Sequence, residues 1–251
     1  MTFRNPEESH AHSLITLNDL YEHDDFMASV DTLIDLGCGS GLDLEWWATR
    51  TTRDENLQPL DIKCTGLDLL DSFPMARKYP NITYQYNDFE KQIYTPKKKK
   101  YDVLWCHDSF QYAIRPLETL KLWWDIAEPG AMLVIILPQT TNIEYRKLSF
   151  TQPEGCYYHY SIVNLIHMLA VSGWDCGPGF FKKSPTDQWL HAVVYKSETP
   201  PVGPKTSWYQ LADLGLLPET AVHSIQRHGH VVQNELVLPW LDSSLTWFGQ
   251  H

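Results

Sequence analysis

Thr32-Leu-Ile-Asp-Leu-Gly-Cys-Gly-Ser-Gly-Leu-Asp-Leu-Glu-Trp-Trp-Ala48 is the stretch from which the fold can be read. Its apolar start, residues 32–36, predicts a buried strand. A tight turn carrying Gly37, Gly39 and Gly41 follows, with Cys38 inside it, and residues 42–48 then predict a helix. Strand, glycine turn and helix form the entry to a nucleotide-type binding domain. Glycine lets the chain turn sharply and lets a ligand lie against main-chain N–H groups. The spacing is Gly-x-Gly-x-Gly rather than the Gly-x-Gly-x-x-Gly of dinucleotide sites, and Asp35 precedes it. A carboxylate repels a pyrophosphate and attracts an ammonium. The turn therefore points to a cationic, phosphate-free adenosine cofactor.

The 251 residues suffice for one substantial domain with a full core. A hydrophobic share of 43% and a charged share of 20% fit an ordinary globular protein. No apolar run approaches the ~20 residues that cross a bilayer. Residues 1–8 carry no apolar signal segment. The five cysteines include no Cys-x-x-Cys pair, so they read as reduced thiols in a cytosolic compartment. A net charge of −11 disfavours a nucleic-acid partner. The basic run at residues 97–100 reads as a solvated loop.

The glycine-turn segment resembles motif I of the class I S-adenosylmethionine-dependent methyltransferases, and further landmarks extend the likeness in order. Asp68 ends a second predicted strand at 62–69, and Asp88-Phe89 ends a third at 82–87. Glu128-Pro129-Gly130 precedes an apolar strand at 131–137. Together they cover about residues 30–195. The resemblance implies an α/β, Rossmann-like doubly wound, mostly parallel seven-stranded sheet closed by an antiparallel hairpin at 174–181 and 188–195. It also implies S-adenosyl-L-methionine as cofactor. Asp35 and the backbone of Gly37, Cys38, Gly39 and Gly41 would hold its methionine end. Asp68 and Leu69 would hold the ribose, Asp88 and Phe89 the adenine, and His107 would lie near the sulfonium.

The predicted fourth strand, 101–106, leads into Cys106-His107-Asp108-Ser109-Phe110-Gln111-Tyr112. Open parallel sheets bind ligands beyond their carboxyl ends, and in this family the exit faces both sulfonium and acceptor. Asn/Asp-Pro-Pro-Tyr would imply methylation of an exocyclic or amide nitrogen, and Pro-Cys attack on a pyrimidine ring; neither stands here. The exit instead is similar to the Asp-Ala-Phe-Leu-His type of small-molecule methyltransferases, with Tyr112 where those carry histidine. The implied reaction is methyl transfer to an O or N nucleophile of a small-molecule acceptor. His107 is the first candidate base, Asp108 and Tyr112 the second. Thr141-Asn142 stand where metal-dependent members carry carboxylates, so no metal is expected. The competing readings are a non-catalytic assembly subunit on the same fold, a protein methyltransferase, and a nicotinamide-dependent oxidoreductase. Asp35 and the turn spacing oppose the last.

Residues 13–27 predict a leading helix after a loose segment 1–12, with His10, His12 and His23 solvated. Asp71-Ser72-Phe73-Pro74 reads as a helix start. Residues 115–127 predict a helix that places the Trp123-Trp124 pair in the core. Residues 143–160 form the expected substrate-lid insertion. Its Tyr145, Tyr157, Tyr158, His159 and Tyr160 are either a cation–π box or packing. A helix at 161–171 follows. The methyltransferase domain is expected at 1–198, its cofactor core at about 28–142, and residues 199–204 read as a linker. Residues 205–251 predict two short helices, 207–214 and 219–228, and a tail with Trp240, Trp247 and Phe248. Too short to fold alone, this extension is expected to dock on the core, on a second copy or on a protein partner. His223, His228 and His230 read as solvated.

Overall fold

The apolar run Thr32–Leu36 forms strand β1 at the centre of a sheet, with four of its residues buried. The computed structural model that shows this describes residues 6–23, 27, 29–53, 55–70, 75–93, 100–139, 158–184 and 189–249. β1 pairs in parallel with β2 (Lys63–Asp68) on one side and β4 (Tyr101–His107) on the other. β3 (Ile82–Tyr86) lies outside β2. Beyond β4 come β5 (Ala127–Pro138), β7 (Trp189–Lys196) and β6 (Trp174–Lys183). In the order β3-β2-β1-β4-β5-β7-β6, β7 alone runs antiparallel to its neighbours. The chain direction of the sheet's growth therefore reverses between β1 and β4, which is where doubly wound sheets bind ligands. β5 is buried on both faces from Leu133 to Leu137, as a central strand covered by helices on both sides must be.

Seven helices among the described residues cover the sheet: α1 (Pro6–Tyr21), α2 (Leu42–Ala48), α3 (Met75–Lys78), α4 (Pro116–Ile126), α5 (Ile162–Val171), α6 (Trp208–Asp213) and α7 (Glu219–His228). Local chemistry sets their ends. Pro116 opens α4, where its missing N–H is no loss. The Ser161 hydroxyl accepts the Asn164 N–H to cap α5, and Gly229 ends α7 at φ 79°. One face of the sheet buries Phe110, Trp123, Leu169 and Trp174, and the other Leu17, Trp47, Trp105 and Trp189.

The leading helix departs from expectation. It starts at Pro6 instead of residue 13 and stops at Tyr21 instead of 27. Its buried stripe is Ser13, Thr16, Leu17 and Leu20, a helical spacing in which two of four positions are hydroxyl residues. An apolar count misses such a stripe. The C-terminal tail also differs: β8 (Val237–Pro239) and β9 (Leu245–Trp247) pair as a hairpin. Three-residue strands are too short for periodicity to reveal. The extension docks on the same protein. Leu211, Leu216, Leu217 and Phe248 join the core on the α5 face, and Trp240 joins the core on the α1 face. Trp123 is fully buried, whereas the half-buried Trp124 ring lies 3.8 Å from Lys196 Nζ. The expectations for residues 71–74, 97–99 and 140–157, including Thr141, Asn142, Tyr145 and Tyr157, fall outside the described residues. No described helix is long and apolar enough to cross a membrane. Cys38, Cys64, Cys106 and Cys176 are buried free thiols.

Trp240 is 1% exposed, and its Nε1–H donates to Asp19 Oδ2 of α1 at 2.5 Å. Trp240→Ala is expected to lower the unfolding free energy by about 3–5 kcal/mol in denaturant titration. A loss under about 1 kcal/mol would show that the extension merely leans on the core.

Candidate active site

The glycine turn draws four strand ends together. Gly37 N–H and Cys38 N–H both donate to the Leu67 carbonyl, at 2.8 and 3.1 Å, joining the ends of β1 and β2. Gly39 N–H donates to Asp68 Oδ2 at 2.8 Å, and Leu69 N–H to Asp68 Oδ1 at 2.7 Å. Gly37 has φ 89°, and a Cβ there would lie 2.5 Å from Ser109 Cβ and 3.9 Å from Phe89 Cδ1. Only glycine permits that approach. Ser109 in turn donates to the Leu36 carbonyl at 2.5 Å. Residues at the ends of β1, β3 and β4 thus meet around one backbone position. Gly39, at φ 51°, has no atom within 4 Å of the position its Cβ would take.

The acidic residues that the sequence singles out lie along this edge in distinct states. Each Asp68 oxygen already accepts one N–H and has a lone pair left for a hydroxyl. Leu69 beside it is 58% exposed. Asp88 caps its own loop through the Glu90 N–H at 2.9 Å, and Phe89 meets Trp123 edge to face at 6.0 Å. Asp35 is 2% exposed and accepts no hydrogen bond from a described residue. Burial first, then the charges of Asp43 and Asp68, push its carboxyl well above the usual range. The Cys38 thiol is pushed up mainly by burial, and next by Asp35.

A fourth carboxylate, Asp43 in the first turn of α2, was not marked by the sequence. Its Oδ1 lies 2.5 Å from His10 Nδ1 and 2.6 Å from the Ser13 hydroxyl, both on α1. Its Oδ2 accepts Trp105 Nε1–H at 2.8 Å and lies 3.0 Å from His107 Nδ1, both on β4. Burial acts to raise its carboxyl, but the His107 charge and the bonds from His10, His107 and Ser13 outweigh burial. The result is well below the usual carboxylate range. An aspartate in a first helical turn is ordinary beside the helix dipole, so its position alone gave no signal.

His10 and His12 therefore correct the expectation of solvated histidines. His10 is engaged with Asp43, and His12 stacks on Trp189 with ring centroids 4.6 Å apart. His23 is exposed as expected. Thr16 adds a 2.8 Å bond to His191 on β7, so α1 is pinned across the carboxyl edge. His107 is buried, its ring 5.6 Å from Trp189. Asp108 takes the left-handed φ of 53° and accepts Gln111 Nε2–H at 2.6 Å. Aspartate visits that region more readily than most non-glycine residues. Tyr112 is 37% exposed. Of the tyrosine cluster, Tyr160 is buried and stacked on Phe110, so it packs, whereas Tyr158 is 41% exposed. A groove of about 610 Å³ lined by Ala48, Lys63, Cys64, Tyr79 and Asn81 lies instead at the amino-terminal ends of β2 and β3. No three His, Cys, Asp or Glu among the described residues are grouped to hold a metal ion.

Because the Asp35 carboxyl is raised, folding takes up a proton there. Its contribution to stability therefore falls as pH rises from the ordinary aspartate value through the raised one. Asp35→Asn is expected to raise the thermal unfolding midpoint at pH 7, with the gain vanishing near pH 3. No gain at pH 7 would mean that the Asp35 charge is compensated in the folded chain.

A family model described as a methyltransferase domain matches residues 11–176. The curated malonyl-[acyl-carrier protein] O-methyltransferase of Halalkalibacterium halodurans is 26% identical over 129 residues. That stretch covers 49% of this chain and 45% of that protein, so the match spans less than half of the relative's length. Among solved structures, a chain from the complex of the Haloferax volcanii Trm112 methyltransferase activator with a methyltransferase aligns at TM-score 0.55 and 16% identity. It covers 77% of this chain and 95% of that one. The plantazolicin methyltransferase BpumL, solved in complex with SAH, aligns at TM-score 0.53 and 17% identity over 76% of this chain and 87% of its own. These two share the fold. The family match extends over well more than half of the chain, with the glycine turn, the strand-end carboxylates and the β4 exit all inside it, and this chain belongs to the methyltransferase domain family.

Proposed function

We propose that this chain transfers a methyl group to an oxygen or nitrogen nucleophile of a small-molecule acceptor, with His107 as the base. The cofactor is S-adenosyl-L-methionine, whose sulfonium supplies an activated methyl group when bound. The observation that carries the reading is the Asp35 carboxylate, buried with no donor from a described residue beside the glycine turn. A ligand ammonium satisfies such a group, and a pyrophosphate does not.

Asp35 and the backbone of Gly37, Cys38, Gly39 and Gly41 are assigned to the methionine end. Asp68 and Leu69 are assigned to the ribose, and Asp88 and Phe89 to the adenine. With the methyl already activated, the chain's main task is to align the acceptor, a contribution of up to ~7–11 kcal/mol in favourable cases. The acceptor's O–H or N–H proton passes to His107, with Asp108 and Tyr112 at the same exit as the second candidates for that role. A small acceptor is supported by the β4 exit, and the curated relative is by name an O-methyltransferase.

The 199–251 segment is proposed as a surface for a partner or a second copy. The exposed Tyr209, Leu245 and Trp247 support this, and one structural neighbour was solved with an activator protein. Four buried free thiols support a reducing, cytoplasmic setting.

Calorimetric titration with S-adenosylmethionine and SAH, with NAD as control, tests the reading. Micromolar binding of the first two and none of NAD is expected. Asp68→Ala should weaken binding by about 2 kcal/mol, roughly 30-fold, with the fold intact. Wild-type affinity in that variant, or preference for NAD, would overturn the assignment.

A further inference from the structure

Asp43 is placed where it can control the chemistry of His107. Its side chain is 9% exposed and meets four side chains, two on each oxygen. With the Ser13 hydroxyl donating to Oδ1 and the Trp105 indole N–H to Oδ2, the Asp43 carboxylate stands as an acceptor on both oxygens. The Trp105 indole N–H on Oδ2 is a donor in every state, so that oxygen is fixed as an acceptor. A nitrogen 3.0 Å from it must carry its hydrogen. In a neutral imidazole the lone pair is then on the other nitrogen.

We propose that Asp43 is the positioning residue of the reaction, holding His107 in the Nδ1–H tautomer so that Nε2 is the atom that accepts the substrate's proton. This rests on the reading of His107 as the base. When Nε2 takes that proton, both ring nitrogens carry hydrogen. The positive ring then faces the Asp43 charge across the same bond, which favours the charged form. The other oxygen of Asp43 binds His10 and Ser13, so the seat of α1 and the tautomer of the base depend on one carboxylate. Trp189 stacks on His12 and lies with its ring 5.6 Å from that of His107. If Asp43 served only to anchor α1 through His10 and Ser13, its loss would leave the His107 tautomer unchanged.

The two roles separate in long-range ¹H–¹⁵N spectra of full-length, ¹⁵N-histidine-labelled protein saturated with SAH, with His107→Gln used to assign the resonance. The expected result is an Nδ1-protonated, Nε2-basic His107 in the wild type. Asp43→Ala should lose that signature, and His10→Ala should retain it while exposing α1 amides to exchange. A wild-type ring with its hydrogen on Nε2, or an unchanged tautomer in Asp43→Ala, would overturn the inference. If Asp43→Ala does not fold, the wild-type spectrum decides alone. Failure of SAH to bind the wild type in calorimetry would remove the methyltransferase reading and this inference with it. SAH binding together with an Nε2–H ring would leave that reading standing and remove only the role of Asp43.

Discussion

Asp35, Asp43 and Asp68 stand close enough under one glycine turn to repel one another, and the carboxyl edge of the sheet is organised by that crowding. Inside a protein such repulsion is several times stronger than in water, so three ionised carboxylates cannot coexist without compensation. Each meets the constraint in its own way. Asp68 takes two backbone N–H groups, and Asp43 meets four polar side chains, the Ser13 hydroxyl and the Trp105 indole among them as donors. Asp35 takes none from the described residues, and its carboxyl moves up while that of Asp43 moves down. On the proposed function, a ligand ammonium beside Asp35 would relieve all three. A turn shaped for an anionic pyrophosphate would need the opposite electrostatics.

The same crowding ties stability to the site. Leu17 and Leu20 anchor α1 by burial, roughly 1.5–3 kcal/mol each. Breaking a buried, hydrogen-bonded charge set such as that of Asp43 costs about 3–5 kcal/mol. The two terms are of similar size, so α1 is seated as much by the carboxylate as by its apolar stripe. The C-terminal segment adds to that seat through Trp240 and Asp19. A helix far from the glycine turn in sequence is therefore part of its electrostatics.

Much of the fold was legible in the sequence. The β1 bounds follow from the apolar run, and the mostly parallel seven-stranded sheet with its antiparallel hairpin from the resemblance that the glycine turn and the strand-end landmarks carry. Three features were not legible. The start of α1 was hidden because Ser13 and Thr16 occupy buried positions usually taken by apolar residues. The β8–β9 hairpin was too short to show alternation. Asp43 was hidden because a helix-start aspartate is ordinary, and its partners come from α1 and β4, 30 and 64 residues away. Long-range donors leave no local pattern. That also explains why His10 reads as a surface residue in sequence and is a carboxylate partner in the fold.

Hydrogen–deuterium exchange of the full chain with and without SAH tests the location of the cofactor site most directly. Slowed exchange confined to amides near residues 35–41, 67–69, 88–89 and 107–111 is the predicted result. Protection centred instead on the groove of Lys63, Tyr79 and Asn81, or none in the glycine turn, would contradict it.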